Sequence, residues 1–110
     1  MNIKIFRANR GEGKTKWLFE RAIEERDNGK YLYYVGNEKT MKKLINMWEV
    51  TFHEKCPIVR ADDVEYLAYP HSFFTDEMMS NMCDVNNWLS YAKQVYGEWY
   101  ITMYNENFVN

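Results

Sequence analysis

At 110 residues the chain has room for one hydrophobic core and not for two. Its 46% hydrophobic, 17% aromatic and 27% charged residues, with five glycines and two prolines, exclude a disordered chain, a collagen-like repeat and a low-complexity linker. The net charge of −2 conceals an asymmetry: residues 1–60 hold 13 of the 14 Lys+Arg against 8 acids, and residues 61–110 hold Lys93 alone against 8 acids. This division suggests a first half that handles phosphate and a second that handles metal, and the overall charge does not suggest a protein that coats nucleic acid. No apolar run is long enough to span a membrane, so no membrane association is expected. The start MNIKIFRANR lacks the apolar core of a secretory signal, and Cys56 and Cys83 read as reduced thiols, so a cytoplasmic location is expected.

In chain order, residues 2–8 read as a strand with Ile3 and Ile5 on one face. Residues 9–14 form a glycine-bearing turn. A helix follows over 15–28, with Trp17, Leu18, Ala22 and Ile23 at helical spacing and Asn28-Gly29 as its stop. The run 31–35 is apolar without alternation, as in a strand covered on both faces. Met41, Leu44, Ile45, Trp48 and Phe52 make the clearest helical stripe, with Pro57 expected to stop it. A short strand at 58–60 and a helical turn at 62–68 come next. A strand at 71–75 precedes a second long stripe, Met78, Met82, Val85, Leu89, Ala92 and Tyr96, closed by Gly97. Residues 98–104 read as the last strand. This alternation predicts an α/β fold: a mostly parallel sheet of four to five strands with helices on both faces, in one domain over 1–110.

The densest motif is Ala8-Asn9-Arg10-Gly11-Glu12-Gly13-Lys14-Thr15, placed after a strand and opening a helix. Glycines let the backbone N–H groups of such a turn converge on phosphate oxygens, and the helix N-terminus adds positive potential. Lys14 would reach the terminal phosphates, and the Thr15 hydroxyl suits a Mg²⁺ bound to a nucleotide. The second motif is the apolar strand His71–Thr75 running into Asp76-Glu77. Successive side chains there can face a metal and a water; the same two acids also suit the cap of a following helix, and the roles are compatible.

The chain resembles the P-loop NTPases, from the first strand to the last and in the same order. Ala8 stands where the family usually has glycine, a known variation. The resemblance implies ATP and Mg²⁺ as ligands and ATP hydrolysis as the activity. Asn9, Arg10, Gly11, Glu12, Gly13, Lys14 and Thr15 would bind the nucleotide. Thr15 and Asp76 would hold the metal, Glu77 would polarise the attacking water, and Lys14 would neutralise the β/γ oxygens. The spacing Arg10-x-x-Gly13-Lys14-Thr15 is similar to that of DNA-packaging ATPases, where the arginine approaches the γ-phosphate. The Asp-Glu pair implies the branch with an additional strand between the first strand and the acidic one. In that branch residues 98–104 fill this position, leave the first strand at the sheet edge and present Asn105 or Thr102 toward the γ-phosphate.

The compact format resembles small phage-encoded ATPases related to helicase and packaging motors, which implies a host-cytoplasmic setting and DNA or a DNA-processing protein as partner. A homo-oligomer is also expected. The charged halves complement each other head to tail, and a ring would let Arg7, Arg10 or Arg60 reach a neighbour's nucleotide. Two other readings stand beside hydrolysis: a nucleotide-binding module that acts by docking to a partner, and a nucleotide kinase. The kinase is disfavoured because no arginine follows Arg60. His53, Cys56, His71 and Cys83 lack the paired spacings of a zinc site. The tyrosines read mostly as packing.

Overall fold

The computed structural model describes residues 2–9, 11–36, 38–76 and 97–103. The elements are β1 (Asn2–Arg7), α1 (Lys14–Asp27), β2 (Tyr31–Tyr34), α2 (Glu38–Phe52), β3 (Val59–Arg60), β4 (His71–Asp76) and β5 (Glu98–Met103), with a single 3₁₀ turn at Ala61–Asp63. The five strands form one sheet in the order β1-β5-β4-β2-β3, and every pairing is parallel. The α/β architecture expected from the alternation is therefore present, with a sheet that is wholly parallel. β5 lies between β1 and β4, and β1 is at the edge of the sheet among the described residues.

Alternation along the strands divides the core in two. Leu32, Tyr34, Phe74 and Tyr100 point to the face on which Leu18, Phe19 and Ala22 of α1 pack with Leu44 and Trp48 of α2. Both helices thus cover one face. Tyr33, Phe73, Trp99, Ile101 and Met103 point the other way, against Ile3, Val35, Ala61, Val64 and Leu67. The expected helix over 78–96 lies outside the described residues. All six residues of β4 are buried, as a central strand of a parallel sheet requires.

The apolar stripe of α2 packs inward as its spacing predicts, and Trp48 and Leu44 are wholly buried. The helix ends before Pro57: Phe52 is its last residue, and His53 takes a left-handed backbone (φ 54°) while its N–H bonds the Glu49 carbonyl at 2.9 Å. The Arg26 guanidinium lies 4.7 Å from the Trp48 ring centroid and 4.9 Å from that of Phe52, and it pairs with Glu54 at 2.8 Å. This stack fastens the last turn of α1 to α2. The helical turn expected at 62–68 shrinks to the 3₁₀ turn at Ala61–Asp63, after which the backbone is extended at Val64.

Candidate functional site

Because every strand is parallel, the carboxyl ends of β1, β2, β4 and β5 lie along one rim of the sheet. Loops at such a rim are where open α/β sheets bind ligands. Phe6, Thr102 and Asp76 stand side by side across β1, β5 and β4. Two strand spacings put Asp76 roughly 10 Å from Phe6. The glycine turn begins three residues beyond Phe6, at Asn9.

The turn is held by its own backbone. The Ala8 N–H continues the ladder to the Met103 carbonyl at 3.1 Å, and Ala8 is buried. The Asn9 carbonyl then accepts both the Glu12 N–H at 3.2 Å and the Lys14 ammonium at 3.1 Å. The Glu12 carboxylate accepts the Asn9 N–H in return. Gly11 and Gly13 take left-handed backbones, φ 80° and 88°, and a Cβ at either would meet nothing within 4 Å. Glycine is needed there for the turn's handedness and not for lack of room.

Gly13 is the N-cap of α1 and brings no side chain to satisfy the amides of the first turn. That turn has no acidic residue either; its side chains include Lys14 and Lys16. Basic residues at a helix N-terminus face the positive end of the macrodipole, at a cost of about 0.3–1 kcal/mol each. The local sequence thus opposes helix stability in the way an anion would relieve. Lys14 and Thr15 are half-buried.

Asp76 is the last residue of β4, one position further along the strand than the sequence suggests, and only 8% exposed. Thr40 of α2 donates its hydroxyl to Oδ2 at 2.7 Å, and Thr102 of β5 donates to Oδ1. The Asp76 N–H reaches the Tyr34 hydroxyl at 3.4 Å. Among the described residues no lysine or arginine pairs with this carboxylate.

The contrast within the same molecule is Glu25, buried at the opposite rim. Its carboxylate accepts the Ser72 hydroxyl at 2.7 Å and the Tyr100 hydroxyl at 2.8 Å, and it pairs with Lys30 at 2.7 Å. Lys30 also lies 3.3 Å from Glu98. Burial alone would push the Glu25 carboxyl up, but the bonds from Lys30, Ser72 and Tyr100 outweigh it and hold its pKa below the ordinary value of 4.5. Burial and the two glutamates push the Tyr100 phenol up. Glu25 is a neutralised structural charge. Asp76 is a buried carboxylate whose side-chain donors among the described residues are the neutral hydroxyls of Thr40 and Thr102.

Hard oxygen donors of this kind, a carboxylate and a hydroxyl, suit Mg²⁺. Asp76 and Thr15 therefore fit that ion chemically. Among the described residues no group of three or more His, Cys, Asp or Glu side chains is placed to hold a metal by itself.

Of the residues expected to form the site, Asn9, Gly11, Glu12, Gly13, Lys14, Thr15 and Asp76 are on the same rim. Arg10, Glu77 and Asn105 lie outside the described residues, as does Cys83. Thr102 touches Asp76. Thr40 was not foreseen: it falls one position before the apolar stripe of α2, where a threonine looks like part of an exposed first turn. Arg7 is exposed at the end of β1, and Arg60 is half-buried at the end of β3. Among the paper zinc ligands, Cys56 is buried, which raises its thiol pKa, and the His71 ring bonds the Ala68 carbonyl at 2.7 Å. No described helix is long and apolar enough to cross a membrane.

No protein-family model, curated protein or solved structure matches the chain.

Proposed function

We propose that the chain binds a nucleoside triphosphate with Mg²⁺ at the carboxyl rim of its sheet and hydrolyses it, as a P-loop domain of the additional-strand branch with a three-layer arrangement. The observation that carries this reading is the pairing of opposites on one rim. An uncapped helix N-terminus bearing Lys14 and Lys16 shares that rim with a buried carboxylate, Asp76, that lacks a described cationic partner. The first is suited to phosphate and the second to a metal ion, and a Mg-nucleotide supplies both. The position of β5 between β1 and β4 agrees with the branch that the Asp76-Glu77 pair implies.

In this reading the backbone N–H groups over Gly11–Thr15 hold the phosphates, and Lys14 leaves the Asn9 carbonyl to neutralise β/γ oxygens. Arg10 and Asn105 approach the γ-phosphate. Thr15 and Asp76 hold the metal, whose contribution is charge neutralisation on the phosphate oxygens. Glu77, the next residue after Asp76, accepts a proton from the attacking water. ATP is the expected nucleotide, and DNA or a DNA-processing protein the expected partner, in the cytoplasm of a host cell.

Calorimetry of the purified protein with ATP, with and without Mg²⁺, tests the binding. Phosphate release with and without DNA tests the turnover. Binding without turnover would leave a nucleotide-dependent docking module, and absence of binding would overturn the proposal.

A further inference from the structure

We infer that Thr40 is a positioning residue for Asp76, through which the start of α2 is tied to the metal-binding carboxylate; the inference rests on the nucleotide reading above. Thr40 is in the first turn of α2 and 5% exposed. A buried carboxylate with one hydrogen bond can still swing about its Cβ–Cγ axis. With Thr102 on Oδ1 and Thr40 on Oδ2, donors from two different elements hold both oxygens and fix the carboxylate plane. The remaining lone pairs then have set directions. Hydroxyl donors do this without cancelling the negative charge, which a lysine in the same place would do. That is the role of the outer shell around a metal ligand.

The attachment of α2 to this point is reinforced by its connection from β2. Of three consecutive residues of β4, two meet that connection and the third meets α2 itself. The Phe74 carbonyl accepts the Val35 N–H at 2.9 Å. Thr75, fully buried, points to the opposite face from Asp76, and a Cβ built on Gly36 (φ 110°) would stand 3.1 Å from its hydroxyl. Asp76 then meets Thr40. Val35 and Gly36 of the β2–α2 connection thus lie against the end of β4, and α2, which follows two residues after Gly36, brings the Thr40 hydroxyl to the carboxylate. A cation at Asp76 and the position of α2 are therefore linked.

The test is a Mg²⁺ titration of the full chain at a fixed concentration of a fluorescent ATP analogue, with the analogue's affinity in EDTA measured alongside. Thr40→Val is expected to weaken the apparent Mg²⁺ affinity about 10-fold or more, the range typical of lost outer-shell partners. Affinity in EDTA should stay at the wild-type value, and Thr40→Ser should restore Mg²⁺ dependence. Thr40→Ala gives the same reading should the valine variant not fold. A folded Thr40→Val or Thr40→Ala with wild-type Mg²⁺ dependence would overturn the inference while leaving nucleotide binding intact. So would a Thr40→Ser as impaired as the valine variant. If the wild type itself shows no Mg²⁺-dependent binding of the analogue, the nucleotide reading falls and this inference with it.

Discussion

The Tyr100 hydroxyl donates to Glu25 Oε1 at 2.8 Å across 75 positions of sequence, joining β5 to the last turns of α1 at the rim opposite the candidate site. A hydrogen bond to a charged group is worth about 1.5–3 kcal/mol. Tyr100→Phe keeps the ring that stacks on Phe74 and removes only this bond and the weaker one to Glu98. It should lower stability by about 1.5–3 kcal/mol in urea unfolding, without altering nucleotide affinity.

The same cluster sets a pH dependence. The Glu25 pKa is lower in the folded protein than its ordinary 4.5, so its contribution is present above that value and is lost as pH falls through the folded value. Burial opposes the charge on Lys30, but Glu25 and Glu98 outweigh it and raise its pKa above 10.5. Its contribution is present below 10.5 and is lost as pH rises through the folded value. Unfolding measured against pH should show a plateau between these limits. Glu25→Gln should lower that plateau and flatten its acid limb; an unchanged acid limb would assign acid sensitivity to other carboxylates.

Lys14→Ala should abolish nucleotide binding and leave the fold intact. The side chain donates to a loop carbonyl, that of Asn9, and its charge lies in the first turn of α1, at the positive end of the helix. Its removal should therefore leave the melting temperature unchanged or raise it slightly, by the equivalent of about 0.3–1 kcal/mol. Equal ATP binding by mutant and wild type in calorimetry would remove the phosphate site.

Much of this arrangement is legible in the sequence, for reasons that differ from residue to residue. The glycine turn is legible because Gly11 and Gly13 are needed for their backbone handedness, a local property. The stripe of α2 is legible because helical periodicity and burial coincide at Leu44 and Trp48. Thr40 and Glu25 are not read the same way. Each owes its importance to a partner far along the chain: 36 positions to Asp76 for Thr40, 47 to Ser72 for Glu25. A trace of the second existed, since Glu25 follows Leu18 and Ala22 at i+7 and i+3 and so lies on the buried side of α1. The tyrosines show the same limit. Tyr100 packs as expected, but its hydroxyl also closes a charged network that no spacing announces.

Glu77→Gln should keep ATP binding and lower phosphate release about 10²–10⁴-fold, the usual loss when a general base is removed. The amide retains the side chain's size but cannot accept a proton from water. Turnover at the parent rate would make Glu77 a helix cap and place the base elsewhere.

Assembly is checked by sedimentation with Mg-ATP across salt concentrations. β1 is an edge strand among the described residues, carrying Lys4, which discourages edge pairing. Association is therefore expected through the oppositely charged halves and should weaken as salt rises. A monomer in every condition with full ATPase activity would exclude a role for a neighbour's arginine.

The pairing of β1 with β5 governs how the molecule is made. Asn2 is in register with Glu98, so β1 waits for a strand that is translated 96 residues later. At roughly 5–20 residues per second that delay is several seconds or more. The described strands β2, β3 and β4 adjoin one another without β1, and can assemble during the delay. The turn that follows β1 gains its tie to Met103, and Asp76 its tie to Thr102, only when β5 arrives. A nascent chain stalled before residue 98 would therefore carry the glycine motif in full and lack the strand that joins it to Asp76.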